Sequence, residues 1–136
     1  MVNLDKIIDK LIKLQKEAES NDEVPVSAII VNNDNEIIAS YYNKVKSSNN
    51  ILDHAEILCI KEASKKLNNW RLNNCDLYVS LEPCSMCKEI IKKSRINNVY
   101  YFSKQNENKT ETDPNYNFID NETISNNLTS FFQSKR

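Results

Sequence analysis

Leu4, Ile7, Ile8, Leu11 and Ile12 recur at helical spacing, so the pattern predicts an amphipathic helix over 3–19 with Asn3 as its N-cap. Residues 24–31 form an apolar, β-branched run that predicts a buried strand. The polar stretch Asn32-Asn33-Asp34-Asn35 then reads as a turn, and residues 36–43 return as a second strand. A polar loop over 44–50 precedes a helix over 54–67 that is apolar on most of its surface, hence central. Beyond it the pattern predicts a strand over 75–81, a short helix over 85–94 and a strand over 98–102. Residues 103–117 read as a loop, Phe118-Ile119 as a vestigial strand, and 122–133 as a weakly patterned last helix.

This order predicts an α/β fold, with a mixed sheet of four to five strands and helices on both faces. No repeat or linker interrupts the chain, so residues 1–136 read as one domain. No apolar run approaches the ~20 residues of a membrane span. The first twenty residues carry acids throughout and lack the apolar core of a signal peptide, so the expected location is cytoplasmic. Thiols stay reduced there, which makes a C-x-x-C pair a metal or catalytic motif before it is a disulfide.

Composition changes that picture in two places. The formal net charge is −1, so any nucleic-acid contact has to rest on local patches; Lys44, Lys46, Lys92, Lys93, Lys135 and Arg136 are candidates. The chain also has no glycine, 21 asparagines, and 15 lysines against 3 arginines, a bias in the direction of an A/T-rich genome. Left-handed backbone positions then fall mostly to asparagine, the next most tolerant residue. The Asn pairs at 32–33, 49–50, 68–69, 73–74 and 97–98 mark expected turns.

Chemistry gathers in two short stretches. His54, the only histidine, is followed by Glu56, and Cys84 and Cys87 lie 30 and 33 positions beyond the histidine. One imidazole and two thiolates suit Zn²⁺, and three protein ligands leave a fourth tetrahedral position open, as in catalytic rather than structural zinc sites. Cysteines at i and i+3 in a first helical turn can face one ion, and the positive end of that helix favours thiolate. Glu56 falls in the first turn of its own helix, placed to take a proton from a water whose pKa the metal lowers to about 7. Cys59 and Cys75 read as small buried residues.

His54-Ala55-Glu56 with Pro83-Cys84-Ser85-Met86-Cys87 resembles the cytidine deaminase-like zinc deaminases, and within them the tRNA wobble-adenosine deaminases. Glu23-Val24-Pro25-Val26, Asn43, Trp70-Arg71-Leu72, Leu77 through Cys84, Ser94-Arg95-Ile96 and Phe131-Phe132 fall in that family's order. The resemblance implies a three-layer α/β/α fold, zinc on His54, Cys84 and Cys87, and Glu56 as proton shuttle for a zinc-activated water attacking C6 of adenosine. It also implies that Asn43, Val26 and the Ala55 backbone hold the base, and that a homodimer clasps a tRNA anticodon loop, with no DNA and no membrane partner.

The chain departs from the family's pattern at Ser27 (usually Gly), Asp53 (usually small) and Lys88-Glu89 (usually small), and most in a shortened or degenerate segment over 103–120. That segment and the near-neutral charge motivate an alternative, deamination of a free nucleobase or nucleoside of cytosine or guanine type. A non-catalytic zinc module is a third reading, which retention of Glu56 disfavours. Trp70-Arg71 and Phe131-Phe132 read first as packing residues.

Overall fold

The structure, a computed structural model, describes residues 2–106 and 111–134. The elements are α1 (Leu4–Ser20), β1 (Ser27–Val31), β2 (Ile37–Tyr42), α2 (Val45–Ser48), α3 (Ala55–Leu67), β3 (Asp76–Val79), α4 (Ser85–Lys93), β4 (Asn98–Tyr101), β5 (Tyr116–Phe118) and α5 (Glu122–Ser134). The strands form one sheet in the order β2-β1-β3-β4-β5. β1 runs antiparallel to both β2 and β3, whereas β3, β4 and β5 run parallel to one another, so the sheet is mixed.

Strand alternation sends side chains to two cores. Ala28, Ile30, Leu77, Val79, Val99 and Tyr101 face the layer that holds Cys59 and Ala63 of α3 and Ile91 of α4. Ile29, Val31 and Tyr78 face Ile7 and Leu11 of α1 and Ile124 of α5. Every residue of β1 is buried, as a central strand covered on both faces requires. The expected three-layer α/β/α arrangement is the one observed.

Two buried polar side chains fasten α1 to the rest. Gln15 donates to Pro25 O at 3.1 Å and to Ile124 O at 3.2 Å, and accepts from Asn127 Nδ2 at 3.0 Å, so it joins the approach to β1 with α5. Ser27, at a position where the sequence resemblance expects glycine, is fully buried and donates to Leu11 O at 2.8 Å. Neither group is left without a partner, as burial of polar atoms demands.

Three expectations needed adjustment. Before Ser27 the chain turns tightly at Pro25, where the Val26 N–H donates to Val24 O at 2.7 Å, so the first strand is shorter than its apolar run. The 44–50 stretch is not wholly loop: it contains the one-turn helix α2, ended by Asn49 at φ 54°. β5 lies at Tyr116–Phe118, just before the expected Phe118-Ile119, and pairs in parallel with β4. The left-handed positions among the described residues are Asp22, Asn35, Asn49, Asn68 and Arg95. Asparagine takes most of them, two from the expected Asn pairs, while Arg95 is a bulky side chain in a conformation that disfavours it.

Candidate metal centre and pocket

The site forms where two helices begin. His54 is the N-cap of α3 and Cys84 the N-cap of α4, and neither side chain makes a capping hydrogen bond. Two sets of first-turn N–H groups therefore converge with their partial positive charge on the same volume. The parallel β3-α4-β4 unit and the neighbouring antiparallel β1 set this up. The site lies beyond the C-terminal end of β3, next to Val26 just before β1.

His54, Cys84 and Cys87 come together, with ligand atoms all within 4.8 Å of one another. His54 Nδ1 is 3.4 Å from Cys87 Sγ and 4.0 Å from Cys84 Sγ. Tetrahedral zinc with its usual bond lengths spaces a nitrogen and a sulfur ligand about 3.5–3.6 Å apart, between the two observed values. Burial lowers the His54 pKa, which favours the neutral imidazole that a metal needs. Burial also pushes the Cys87 thiol far up, with the Glu56 and Cys84 charges adding to it. A thiolate is therefore stable here only beside a cation.

Glu56 lies in the first turn of α3, almost fully buried, with Oε1 lacking any hydrogen-bond partner. Burial pushes its pKa up to about 7, against hydrogen bonds from its own N–H and Cys87. A buried carboxylate oxygen without a partner costs free energy unless something occupies the space before it. The donor set, the spacing and this orphaned oxygen all fit a zinc ion with an exchangeable position.

The adjoining pocket holds about 200 Å³ and is lined by Val24, Val26, Asn43, His54, Glu56, Leu81, Glu82, Cys84, Gln105 and Phe132. This is smaller than the roughly 300–1,000 Å³ of pockets for drug-sized ligands, and of a scale for one flat ring. Asn43 Oδ1 accepts the Ala55 N–H at 2.8 Å, so Ala55 supports the pocket wall from behind. Val26 faces the pocket directly.

Five pocket residues carry no expected site role in the sequence: Val24, Leu81, Glu82, Gln105 and Phe132. Glu82 stood next to the motif and offered a signal; Gln105 sits in an unpatterned segment and offered none. Phe132 was expected to pack its helix, yet it is half exposed and borders the pocket. Trp70 is likewise exposed, and the Arg71 guanidinium stacks 4.5 Å from its ring centre. That pair belongs to the opposite end of the sheet, where Arg71 helps line a larger cleft of about 600 Å³ that contains none of the expected site residues.

Of the candidate phosphate contacts, Lys44 lies over the Tyr41 and Tyr42 rings, and Lys46 pairs with Asp22 at 2.6 Å. Lys92 and Lys93 form the last turn of α4. Lys135 and Arg136 lie outside the described residues.

A three-layer fold with an open His-Cys-Cys centre and a buried carboxylate beside it defines a zinc-dependent deaminase class. The chain belongs to the family described as the cytidine and deoxycytidylate deaminase zinc-binding region, which matches residues 1–103. The match stops where the chain departs from the expected pattern. A tRNA-specific adenosine deaminase of Rickettsia bellii is 43% identical over 91 residues, 66% of this chain and 63% of the relative. That of Bacillus subtilis is 44% identical over 90 residues, 66% of this chain and 55% of the relative. The chain thus matches a little over half to under two thirds of the length of these curated relatives.

Solved structures agree on the fold. One from work on A-to-I editing by tRNA:A34 deaminases is 29% identical with a TM-score of 0.72, over 82% of this chain and 95% of that one. Guanine deaminase from Bacillus subtilis is 27% identical with a TM-score of 0.70, over 98% and 94%. Among the described residues, no helix is long and apolar enough to cross a membrane.

Proposed function

We propose that this chain is a zinc-dependent deaminase that converts adenosine to inosine at the wobble position of tRNA. The observation that carries the chemistry is the buried, unpartnered Glu56 Oε1 beside the His54-Cys84-Cys87 cluster. The substrate class is supported by relatives named tRNA-specific adenosine deaminase at 43% and 44% identity.

His54, Cys84 and Cys87 would hold the metal. When bound, zinc supplies a Lewis acid that lowers the pKa of water to about 7 and so provides a nucleophile at neutral pH. Glu56 Oε1 would take a proton from the attacking water and deliver it to N1 of the base. The same carboxylate would then carry the proton of the hydroxyl left on C6 to the exocyclic amine, which leaves as ammonia as the C6–N bond breaks. The net reaction consumes one water and exchanges the C6 amino group for a carbonyl.

Asn43 faces its Oδ1 to the Ala55 N–H, so its Nδ2 is the donor end of the amide and meets the base. Val26 and Leu81 offer apolar contact to the ring faces. The pocket takes one base, which an anticodon loop can present unstacked at low cost. A homodimer clasping that loop, in the cytoplasm where tRNA is found, completes the reading.

The test is inosine formation in an anticodon stem-loop beginning with adenosine, using zinc-loaded protein. We expect turnover in the native chain and a loss on the order of 10²–10⁴-fold in Glu56→Gln with zinc retained. Absence of inosine from a zinc-replete protein overturns the reading. The overall match to guanine deaminase favours a second one, deamination of a free base, which ammonia release from guanine or cytosine without RNA would establish.

A further inference from the structure

Lys88 directly follows Cys87 and lies one helical turn beyond Cys84. Its ammonium donates to Glu82 Oε2 at 2.8 Å and also to Glu111 Oε2, and it lies 5.4 Å from the centre of the Tyr116 ring. Glu82 Oε1 accepts the Gln105 N–H at 3.3 Å, and the Glu82 N–H donates to Ser103 O at 2.8 Å. Glu111 Oε1 accepts the Asp113 N–H at 3.0 Å. The Glu82 and Glu111 side chains are only 11% and 14% exposed, so their charges are poorly screened.

The Lys88 nitrogen joins α4 to the β3–α4 link through Glu82 and to the residues leading into β5 through Glu111, and Glu82 in turn holds the residues just after β4 through Ser103 and Gln105. Two of the residues it organises, Glu82 and Gln105, line the pocket with His54 and Glu56. Glu82, Cys84, Lys88 and Gln105 also line an adjoining cleft of about 340 Å³. The clamp therefore sits in the pocket wall rather than at a remote surface.

We propose that Lys88 is a positioning residue: by neutralising Glu82 and Glu111 together, it holds the segment after β4 against α4 and fixes the pocket wall that Glu82 and Gln105 form. Remove the ammonium, and two shielded carboxylates face each other with no cation between them. Like charges in such a place repel strongly, and breaking a shielded network costs more than forming it gains. Residues 103–106 are the part this loss would loosen, because the Ser103 carbonyl and the Gln105 N–H are bonded to Glu82. Lys88 stands where the family resemblance expects a small side chain, and the segment it grips is the shortened one. A long, charged side chain thus reaches from α4 to Glu111, just ahead of β5.

The effect on the wall stands by itself, while the effect on turnover rests on the function proposed above. The experiment separates them. Zinc-loaded native chain, Lys88→Met, Lys88→Arg, Glu111→Gln and the double variant Lys88→Met/Glu111→Gln are compared by amide hydrogen exchange over 103–106 and 111–118, by zinc content, and by kcat and KM on the anticodon stem-loop. In Lys88→Met we expect exchange roughly tenfold faster in those two segments alone. Zinc content should be unchanged, and KM should rise more than kcat falls. Lys88→Arg should restore both readings, and the double variant should recover part of the protection, because the uncompensated carboxylate is gone. If Lys88→Met does not fold, Glu111→Gln reads the same link and should loosen 111–118. Unchanged exchange, a rise spread evenly over the whole chain, or no rescue by arginine overturns the proposal. If the native chain makes no inosine, the functional reading falls and the exchange comparison still decides the clamp.

Discussion

Asn43 Oδ1 accepts the backbone N–H of Ala55 at 2.8 Å, and this one hydrogen bond ties the end of β2 to the first residue of α3. The bond supplies the cap that His54, turned toward the cysteines, does not provide. It also fixes which end of the Asn43 amide meets the pocket. Asn43→Ala leaves a buried N–H unpaired, so we expect a loss of about 1–3 kcal/mol in stability together with lost turnover. Asn43→Asp keeps the acceptor and removes the donor. Stability should then stay near native while turnover falls by on the order of tenfold or more. Denaturant unfolding beside inosine assays distinguishes the two roles.

Glu23 is buried at the foot of the loop that leads to His54, and accepts the N–H groups of Lys46 at 3.0 Å and Ser47 at 2.6 Å. Burial pushes its carboxyl up, but the Ser47 and Lys46 N–H groups outweigh this and hold the pKa below the ordinary 4.5. A depressed carboxylate stabilises the fold fully above its unfolded value and loses that contribution as pH falls through the folded one. The native chain should therefore lose stability below about pH 4.5, and Glu23→Gln should be less stable at pH 7 with a flatter acid limb. Urea unfolding between pH 3 and pH 7 measures both slopes.

Chelation would remove the cation that compensates the Cys84 and Cys87 thiolates, of which Cys87 is buried. Mass action alone makes a tightly held ligand worth several kcal/mol, so we expect the midpoint of thermal unfolding to drop by roughly 10 °C in excess chelator. Added Zn²⁺ should restore it and Mg²⁺ should not, since Mg²⁺ prefers oxygen ligands in octahedral geometry. Calorimetry with and without each ion gives the answer, and an unchanged midpoint would count against the metal centre.

Arg95, just past the end of α4, holds φ at 66°. A side chain with Cβ in that region costs roughly 1–2 kcal/mol, part of which glycine relieves before its own entropy is counted. Arg95→Gly should stabilise the protein by about 0.5–1 kcal/mol, seen as a higher unfolding midpoint at unchanged zinc content.

Much of this was legible in the sequence because it depends on local pattern. Asn3 caps α1 as expected, with its Oδ1 accepting the Lys6 N–H at 3.2 Å, and the heptad-like spacing of Ile7 and Leu11 buries both. His54, Glu56, Cys84 and Cys87 were legible because a metal centre demands particular residue types, whatever the distance along the chain. What stayed hidden depends on the sheet. α2 is too short to show a period, and β5 is a three-residue edge strand whose pairing with β4 no local pattern encodes. Gln105 and Phe132 reach the pocket only because the strand order and the Gln15 contacts deliver their segments there.

The absence of glycine reaches beyond the turns. Each left-handed position among the described residues, from Asp22 to Arg95, carries a Cβ, and the strain this brings is local to it. The unfolded chain, by contrast, is stiffened along its whole length, since every residue that is not glycine samples fewer backbone states. Folding therefore has less disorder to lose. The lack of glycine, with no bearing on the chemistry of the site, in this way moves part of the folding free energy from the native contacts to the denatured ensemble.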